Sequence, residues 1–158
     1  IMPTNLYGIG DNYDPENSHV IPGMIYRFHQ AKVNNLTKVT LWGTGTPKRE
    51  FLYVDDMARA SIYIMNLDKK NYDKQTLPMC SHINIGSGDD LTIKKLAETI
   101  KEVVGFKGEI HFDKTKPDGI PRKFLDSNRI NILGFKPKVN LKDGLTKVYQ
   151  NYKSNYKI

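Results

Sequence analysis

The side chains best able to do chemistry in this sequence stand at loop–helix and loop–strand junctions. His19 ends the polar loop Gly8–Ser18 and directly precedes Val20-Ile21-Pro22. An imidazole at the mouth of a helix can be aimed into a cleft and can give or take a proton near neutrality. A surface or structural histidine is the competing reading. Lys48 and Arg49 follow the loop Gly43-Thr44-Gly45-Thr46-Pro47 and open a strand. The two glycines let backbone approach a ligand or a neighbouring chain, and Pro47 stiffens the exit. A cationic pair there can grip an anionic group, with Arg49 as the bidentate partner and Lys48 as a point charge. A hairpin loop with solvated basic residues is the plain alternative. Asn5, just before Leu6-Tyr7-Gly8, can bond a ligand or stabilise its own turn.

Two patterns imitate known motifs and are set aside. Gly86-Ser87-Gly88-Asp89-Asp90-Leu91 lies between a predicted strand and a predicted helix, like the start of a dinucleotide fingerprint. Leu91 stands where the third glycine belongs, and no βαβ unit with a suitably spaced acid follows. Tyr149 and Lys153 have the spacing of a catalytic pair, but they sit in the terminal helix and read as a solvated coincidence. His19, His29, His82 and His111 are too dispersed for a metal site, so none is expected.

The elements that must position these residues follow from periodicity. Ile1–Leu6 reads as a strand end delivering a turn at Tyr7-Gly8. Ile21, Met24, Ile25, Phe28 and Ala31 recur at helical spacing, predicting an amphipathic helix from Pro22 to about Lys32 with Pro22 at its first position. Arg27 falls on its polar face. A short strand over Val39–Trp42 enters the glycine-rich loop, and a second runs from Arg49 to Val54. A helix then opens at Asp55 and Asp56, with Asp as N-cap, and runs to about Leu67. Its apolar residues lie on more than one face, so it is expected to be largely buried. Asp68–Gln75 reads as an irregular surface connection and Ile83–Ile85 as a strand. Thr92 caps a helix whose stripe is Ile93, Leu96, Ala97, Ile100, Val103 and Val104, ended by Gly105. Glu109–Phe112 alternates as a strand, Asp113–Arg122 is a basic loop containing Pro117, Asp118, Gly119 and Pro121, and Asp126–Leu133 is a short helix before Gly134. Leu141, Leu145, Val148, Tyr149 and Tyr152 mark a last helix.

Composition bounds the class. At 158 residues with 39% hydrophobic content, the chain reads as one domain able to bury a sizeable core. The mean hydropathy of −0.53 and the lack of a long apolar run argue against a membrane span. No signal peptide is visible, although the sequence opens at Ile1 without an initiator Met. The single cysteine, Cys80, excludes an internal disulfide and fits a reducing cytosol. A net charge of +7 favours anionic partners. The lysines are scattered and no nucleic-acid motif is recognisable, so nucleic acid is not expected.

Four ordered stretches carry a resemblance that covers nearly the whole chain. They are Met2-Pro-Thr-Asn-Leu-Tyr-Gly8, Asn17-Ser-His-Val-Ile-Pro22, Trp42-Gly-Thr-Gly through Arg49-Glu-Phe and Val54-Asp-Asp56, and Lys116-Pro-Asp-Gly-Ile-Pro-Arg-Lys123. Together they resemble the extended short-chain dehydrogenase/reductase superfamily that acts on nucleotide-linked sugars, and within it the GDP-L-fucose synthase family. The resemblance implies an α/β fold of which only the C-terminal, substrate-binding half is present, the N-terminal Rossmann part being absent. Residues 1–158 then form a single domain, with residues 1–10 the tail of the missing Rossmann sheet. It further implies NADP(H) as cofactor, with Pro3, Thr4, Asn5, Leu6 and His19 at the nicotinamide end. His19 is the implied acid of 3,5-epimerisation, while Arg27, Trp42, Arg49 and Asp118 are implied contacts of a GDP-sugar. The family's reductive Ser and Tyr-x-x-x-Lys pair and its epimerase Cys are missing, and Cys80 does not occupy that motif. The chain alone is therefore expected to be inactive. The complete enzyme is expected to be a cytoplasmic homodimer, paired mainly through the missing half. Part of another nucleotide-sugar epimerase or reductase, and a non-catalytic nucleotide-sugar binding module, are the alternatives.

Overall fold

The helices and strands anticipated from periodicity form in a computed structural model, which describes residues 1–155. The larger core joins three helices to the strands beside them. Helix α1 (Val20–Val33) buries Ile21, Met24, Ile25, Phe28 and Ala31, the side chains whose spacing predicted it. Pro22 is its third residue rather than its first; the first helical N–H groups lack intrahelical acceptors, so a proline is tolerated there too. Helix α4 (Ile93–Val104) is capped as expected: Thr92 Oγ1 accepts from the Lys95 N–H at 3.1 Å, and Gly105 closes it at φ 73°. Helix α6 (Leu141–Asn155) packs Leu145, Val148, Tyr149 and Tyr152 against both. Leu96, Ala97, Ile100 and Leu145 are fully buried in this cluster. Burial of each large aliphatic side chain of this kind stabilises the fold by about 1.5–3 kcal/mol.

Among the described residues, eight short strands arrange the loops around that core. Strand β3 (Lys38–Trp42) pairs in parallel with β7 (Glu109–Asp113), residue for residue from Lys38–Glu109 to Trp42–Asp113. The central strand is β4 (Lys48–Tyr53). Its second half pairs in parallel with β2 (Asn5–Tyr7), in the register Asn5–Phe51. Its first half pairs antiparallel with β6 (Asp90–Thr92) and parallel with β8 (Arg122–Lys123). Strands β3 and β4 do not pair, so the glycine-rich loop joins two sheets rather than closing a hairpin. Strand β6 was not legible as a strand, because three residues ahead of a helix carry too little pattern. Strand β1 (Met2–Pro3) pairs in parallel with β5 (Asn84–Ile85).

Helix α2 (Val54–Met65) departs from expectation in two ways. Tyr53, not an aspartate, occupies the N-cap, and it makes no side-chain cap bond. Asp56 is instead fully buried and accepts from Arg59 and from the N–H groups of Lys138 and Val139, both at 2.9 Å. The helix is also not largely buried. Only Asp56 and Ala60 are, while Ile62 is 60% and Met65 83% exposed. Its inner face joins Leu52, Ile83, Ile85, Ile130 and Phe135 in a second, smaller core. The connection after it contains a short helix, α3 (Lys69–Asp73), started by Asp68 accepting from the Lys70 N–H at 2.7 Å. Helix α5 (Asn128–Ile132) precedes Gly134 at φ 95°. Among the described residues no helix is long and apolar enough to cross a membrane.

Candidate functional site

The loop before α1 is built to present His19. Asp14 Oδ1 accepts from the N–H groups of Glu16 and Asn17 at 2.9 and 2.7 Å, and its carbonyl accepts from the Ser18 N–H at 3.2 Å. Those backbone donors hold the Asp14 carboxyl below the usual carboxylate range. The turn delivers His19 as the N-cap of α1, in extended backbone, with its carbonyl accepting from the Gly23 N–H at 2.9 Å. Its side chain makes no cap bond and is therefore available to a ligand. One cavity of about 540 Å³ is lined by His19 together with Glu16, Ser18, Met24, Arg27 and Trp42. A second, of about 370 Å³, is lined by His19 with Asn5, Leu6, Val20 and Phe51. His19 thus lines three clefts, one towards α1 and β3, one towards β2, and a third of about 340 Å³ with Tyr7, Asp11 and Val54.

In the first cleft, Trp42 stands at the end of β3 with 62% of its surface exposed, and Lys116 lies 5.6 Å from its ring centroid. An exposed indole with a lysine beside it can offer a flat ligand both stacking and charge. Met24, Leu41 and Ile93 supply the apolar floor. Glu16 and Ser18 were not singled out from sequence; only their place beside His19 pointed to them.

The glycine-rich loop is clasped by the basic loop that follows β7. Gly43 and Gly45 are left-handed at φ 79° and 75°. A side chain on Gly43 would run into Asp118, and one on Gly45 would reach 2.6 Å from the Phe112 ring. Asp118 Oδ1 accepts from the Thr44 N–H at 2.9 Å and Oδ2 from the Thr44 hydroxyl at 2.6 Å. The Thr44 hydroxyl and N–H lower the Asp118 carboxyl below its ordinary value. Arg49 donates through Nη1 to the carbonyls of Lys48 and Ile120, both at 2.7 Å. The Lys48 N–H donates to the Pro121 carbonyl at 2.8 Å. Residues 113–123 therefore form a strap lying over the loop and the start of β4. His19, Arg27 and Trp42 come together in one cavity, whereas Arg49 and Asp118 hold the strap that borders it.

On the β2 side, Asn5 Nδ2 and Thr4 Oγ1 donate to the Glu50 carbonyl at 2.7 and 3.3 Å. Thr4 is buried and Leu6 half-exposed, while Pro3 is exposed in its pairing with Ile85. The bond to Glu50 uses the Asn5 amide nitrogen and leaves acceptor capacity on the amide oxygen. Tyr149 is buried, not solvated: its hydroxyl lies 3.1 Å from His29 Nδ1 and Lys153 lies 5.2 Å from its ring, so the pair is structural. Cys80 lines none of the cavities that His19 lines, and its Sγ and carbonyl take hydrogen bonds from Arg129.

Comparison with known proteins gives this geometry a context. GDP-L-fucose synthase from Escherichia coli (strain K12) is 53% identical over 155 residues, which is 98% of this chain and 48% of that protein. A GDP-6-OMe-4-keto-L-xylo-heptose reductase from C. jejuni superposes with a TM-score of 0.86 at 34% identity, covering 96% of this chain and 52% of the other. A GDP-L-fucose synthetase from Naegleria fowleri bound to NADP superposes at 0.85 with 28% identity, covering 99% and 46%. The chain thus spans about half the length of the relatives it matches. The fold is the α/β fold of these dehydrogenase-like enzymes. The sequence model of one family spans residues 1–86, which hold β1, β2, His19, the glycine-rich loop and β4, and on that match the chain belongs to the NAD dependent epimerase/dehydratase family.

Proposed function

We propose that this chain is the nucleotide-sugar-binding part of an enzyme that converts GDP-4-keto-6-deoxy-D-mannose to GDP-L-fucose by 3,5-epimerisation and NADPH-dependent 4-reduction. The observation that carries the reading is the place of His19, the wall shared by a cleft containing Arg27 and Trp42 and a cleft containing Asn5 and Leu6. The identity with GDP-L-fucose synthases over 98% of the chain supports it. In this reading the GDP moiety lies along Trp42 and Arg27 beneath the strap, with Arg49 and Asp118 at its border. Removing a proton alpha to the C4 ketone, at C3 or C5, gives an enolate. His19 returns a proton to that carbon from the opposite face, a step in which a positioned acid supplies about 10²–10⁴-fold. Pro3, Thr4, Asn5, Leu6 and His19 would border NADP(H), which when bound supplies the hydride for C4. The base of the epimerisation and the Tyr-Lys pair of the reduction belong to sequence beyond this chain.

Residues 1–10 are read as the tail of a larger parallel sheet. The β1–β5 pair has two residues a side, and parallel sheets are ordinarily covered on both faces. Met2 is 55% and Met79 98% exposed, as are Ile62 and Met65 of α2 at 60% and 83%, which suits a covering domain. A cytoplasmic homodimer, paired mainly through that other part, completes the reading and is consistent with the single cysteine.

A related GDP-sugar reductase that does not epimerise is the second reading, favoured by the structural likeness to the heptose reductase. The test is His19→Asn in the enzyme completed by its other half. Solvent-deuterium incorporation at C3 and C5 is expected to fall by about 10²–10⁴-fold with GDP affinity nearly unchanged. No incorporation in the unaltered enzyme would favour the second reading; equal incorporation in both would make His19 a structural cap. The 158-residue chain alone is expected to oxidise no NADPH with the ketosugar.

A further inference from the structure

Glu50 has no part in the chemistry above, yet it is completely buried in the middle of β4. Burying a carboxyl group is costly unless every oxygen finds a donor. Among the described residues none of the ion pairs involves Glu50. Its donors are neutral and come from two separate segments. Oε1 accepts from the Gly88 N–H at 2.8 Å and, at 3.5 Å, from the Ser87 hydroxyl. Oε2 accepts from the Leu125 N–H at 3.2 Å. Its backbone carbonyl takes the Asn5 and Thr4 side chains. Gly86 passes so close that a side chain there would run into Glu50 Oε1 and come within 2.7 Å of the buried Ser127 hydroxyl.

One residue therefore ties three things together. They are the Thr4–Asn5 edge, the Ser87–Gly88 turn, and the root of the strap at Leu125. Arg49, the adjacent residue, holds the middle of the same strap through the Ile120 carbonyl. We propose that Glu50 is a positioning residue: its carboxyl group fixes Leu125, at the root of the 113–123 strap, in register with Asn5, and so holds Arg49 and Asp118 in the geometry that receives a nucleoside diphosphate. An apolar residue would fill the same volume at less cost, but it would leave the Leu125 and Gly88 N–H groups unpaired and the strap root unanchored. The nucleotide part of this inference rests on the function proposed above.

The test compares the full chain with Glu50→Gln and Glu50→Asp, using GDP as probe. Gln keeps the shape but places an NH2 against an N–H donor. Asp keeps the group but draws it back from Leu125. Calorimetric titration is expected to show at least a tenfold loss of GDP affinity in Glu50→Gln and a smaller loss in Glu50→Asp. Amide hydrogen exchange is expected to quicken in 86–90 and 119–125 while α1, α4 and α6 keep their protection. Unaltered exchange in those two segments, or wild-type GDP affinity in folded Glu50→Gln, overturns the proposal. So does faster exchange throughout the core, which is the mark of a general stabilising role. If Glu50→Gln does not fold, Glu50→Asp decides by the same two readings, and wild-type behaviour in both overturns the proposal. If the unaltered chain binds no GDP, the nucleotide reading of the site fails, and the exchange pattern alone then decides whether Glu50 anchors the strap.

Discussion

Arg49 shows how one residue can serve a loop and a ligand together. Its guanidinium spans from its own strand to the Ile120 carbonyl, and Gly119 lies within 2.9 Å of Nη2 if given a side chain. Arg49→Ala therefore removes a cation and releases the strap in one change. GDP affinity is expected to fall more than tenfold, within the range of about 2–5 kcal/mol for truncating one partner of a desolvated charged contact. Lys48 is half-exposed and 3.9 Å from Asp90, so Lys48→Ala is expected to change affinity only a few-fold. Arg49→Lys should recover little, since an ammonium cannot reach two acceptors in the guanidinium's plane. Calorimetry on the three variants measures all of this, and equal affinities for wild type and Arg49→Ala would return Arg49 to a solvated-loop role.

Between elements, two contacts decide how the parts are held. The Asp118–Thr44 clasp closes the strap onto the glycine-rich loop. Thr44→Val removes the hydroxyl donor but leaves the backbone N–H, freeing one Asp118 oxygen. If Asp118 works through the clasp, GDP affinity should fall several-fold; if Asp118 binds the ligand directly, affinity should hold or rise. Asp56 joins α2 to the 138–139 segment. Burial raises its pKa, but the bonds from Arg59 and from the Val139 and Lys138 N–H groups outweigh that and leave it below the ordinary value. A depressed folded pKa gives stability that is whole above the unfolded carboxyl's 3.8 and is lost as pH falls through the folded value. Asp56→Ala strands those donors and should cost about 3 kcal/mol by urea denaturation at neutral pH.

Across the whole molecule, α1 and α6 meet through His29, which is buried against Tyr149 and Tyr152. Burial first, then the positive charges of Lys32 and Lys153, push its pKa below 6.5. The neutral ring is therefore the folded form, and the unfolded chain takes up the proton first. Stability is expected to be undiminished above pH 6.5 and to decline as pH drops from there towards the folded pKa. His29→Gln should flatten that part of the stability–pH curve measured by thermal melting. A persistent slope would place the titrating group elsewhere. In the same core, Leu96→Ala should cost about 2–5 kcal/mol, because a fully buried side chain leaves a cavity the three packed helices cannot close.

The sequence by itself determined the local structure. The stripes of α1, α4 and α6, the Thr92 cap, the helix stops at Gly105 and Gly134, and the His19 helix mouth were all legible. Each depends on residues within a turn or two of one another. The four motifs likewise pointed to the family, because motif order is a property of the chain. Only the tertiary structure decided what those elements meet. That Asp56 caps no helix but binds 138–139, that β3 and β4 belong to different sheets, and that Tyr149 supports His29 all turn on contacts distant in sequence. Glu50 shows the reason most plainly. Glu50 precedes Phe51-Leu52-Tyr53 in the chain and drew no notice there, because its partners at 88 and 125 lie 38 and 75 residues away. No periodicity reports a partner at that distance, since the pairing is set by how three segments cross and not by any local preference.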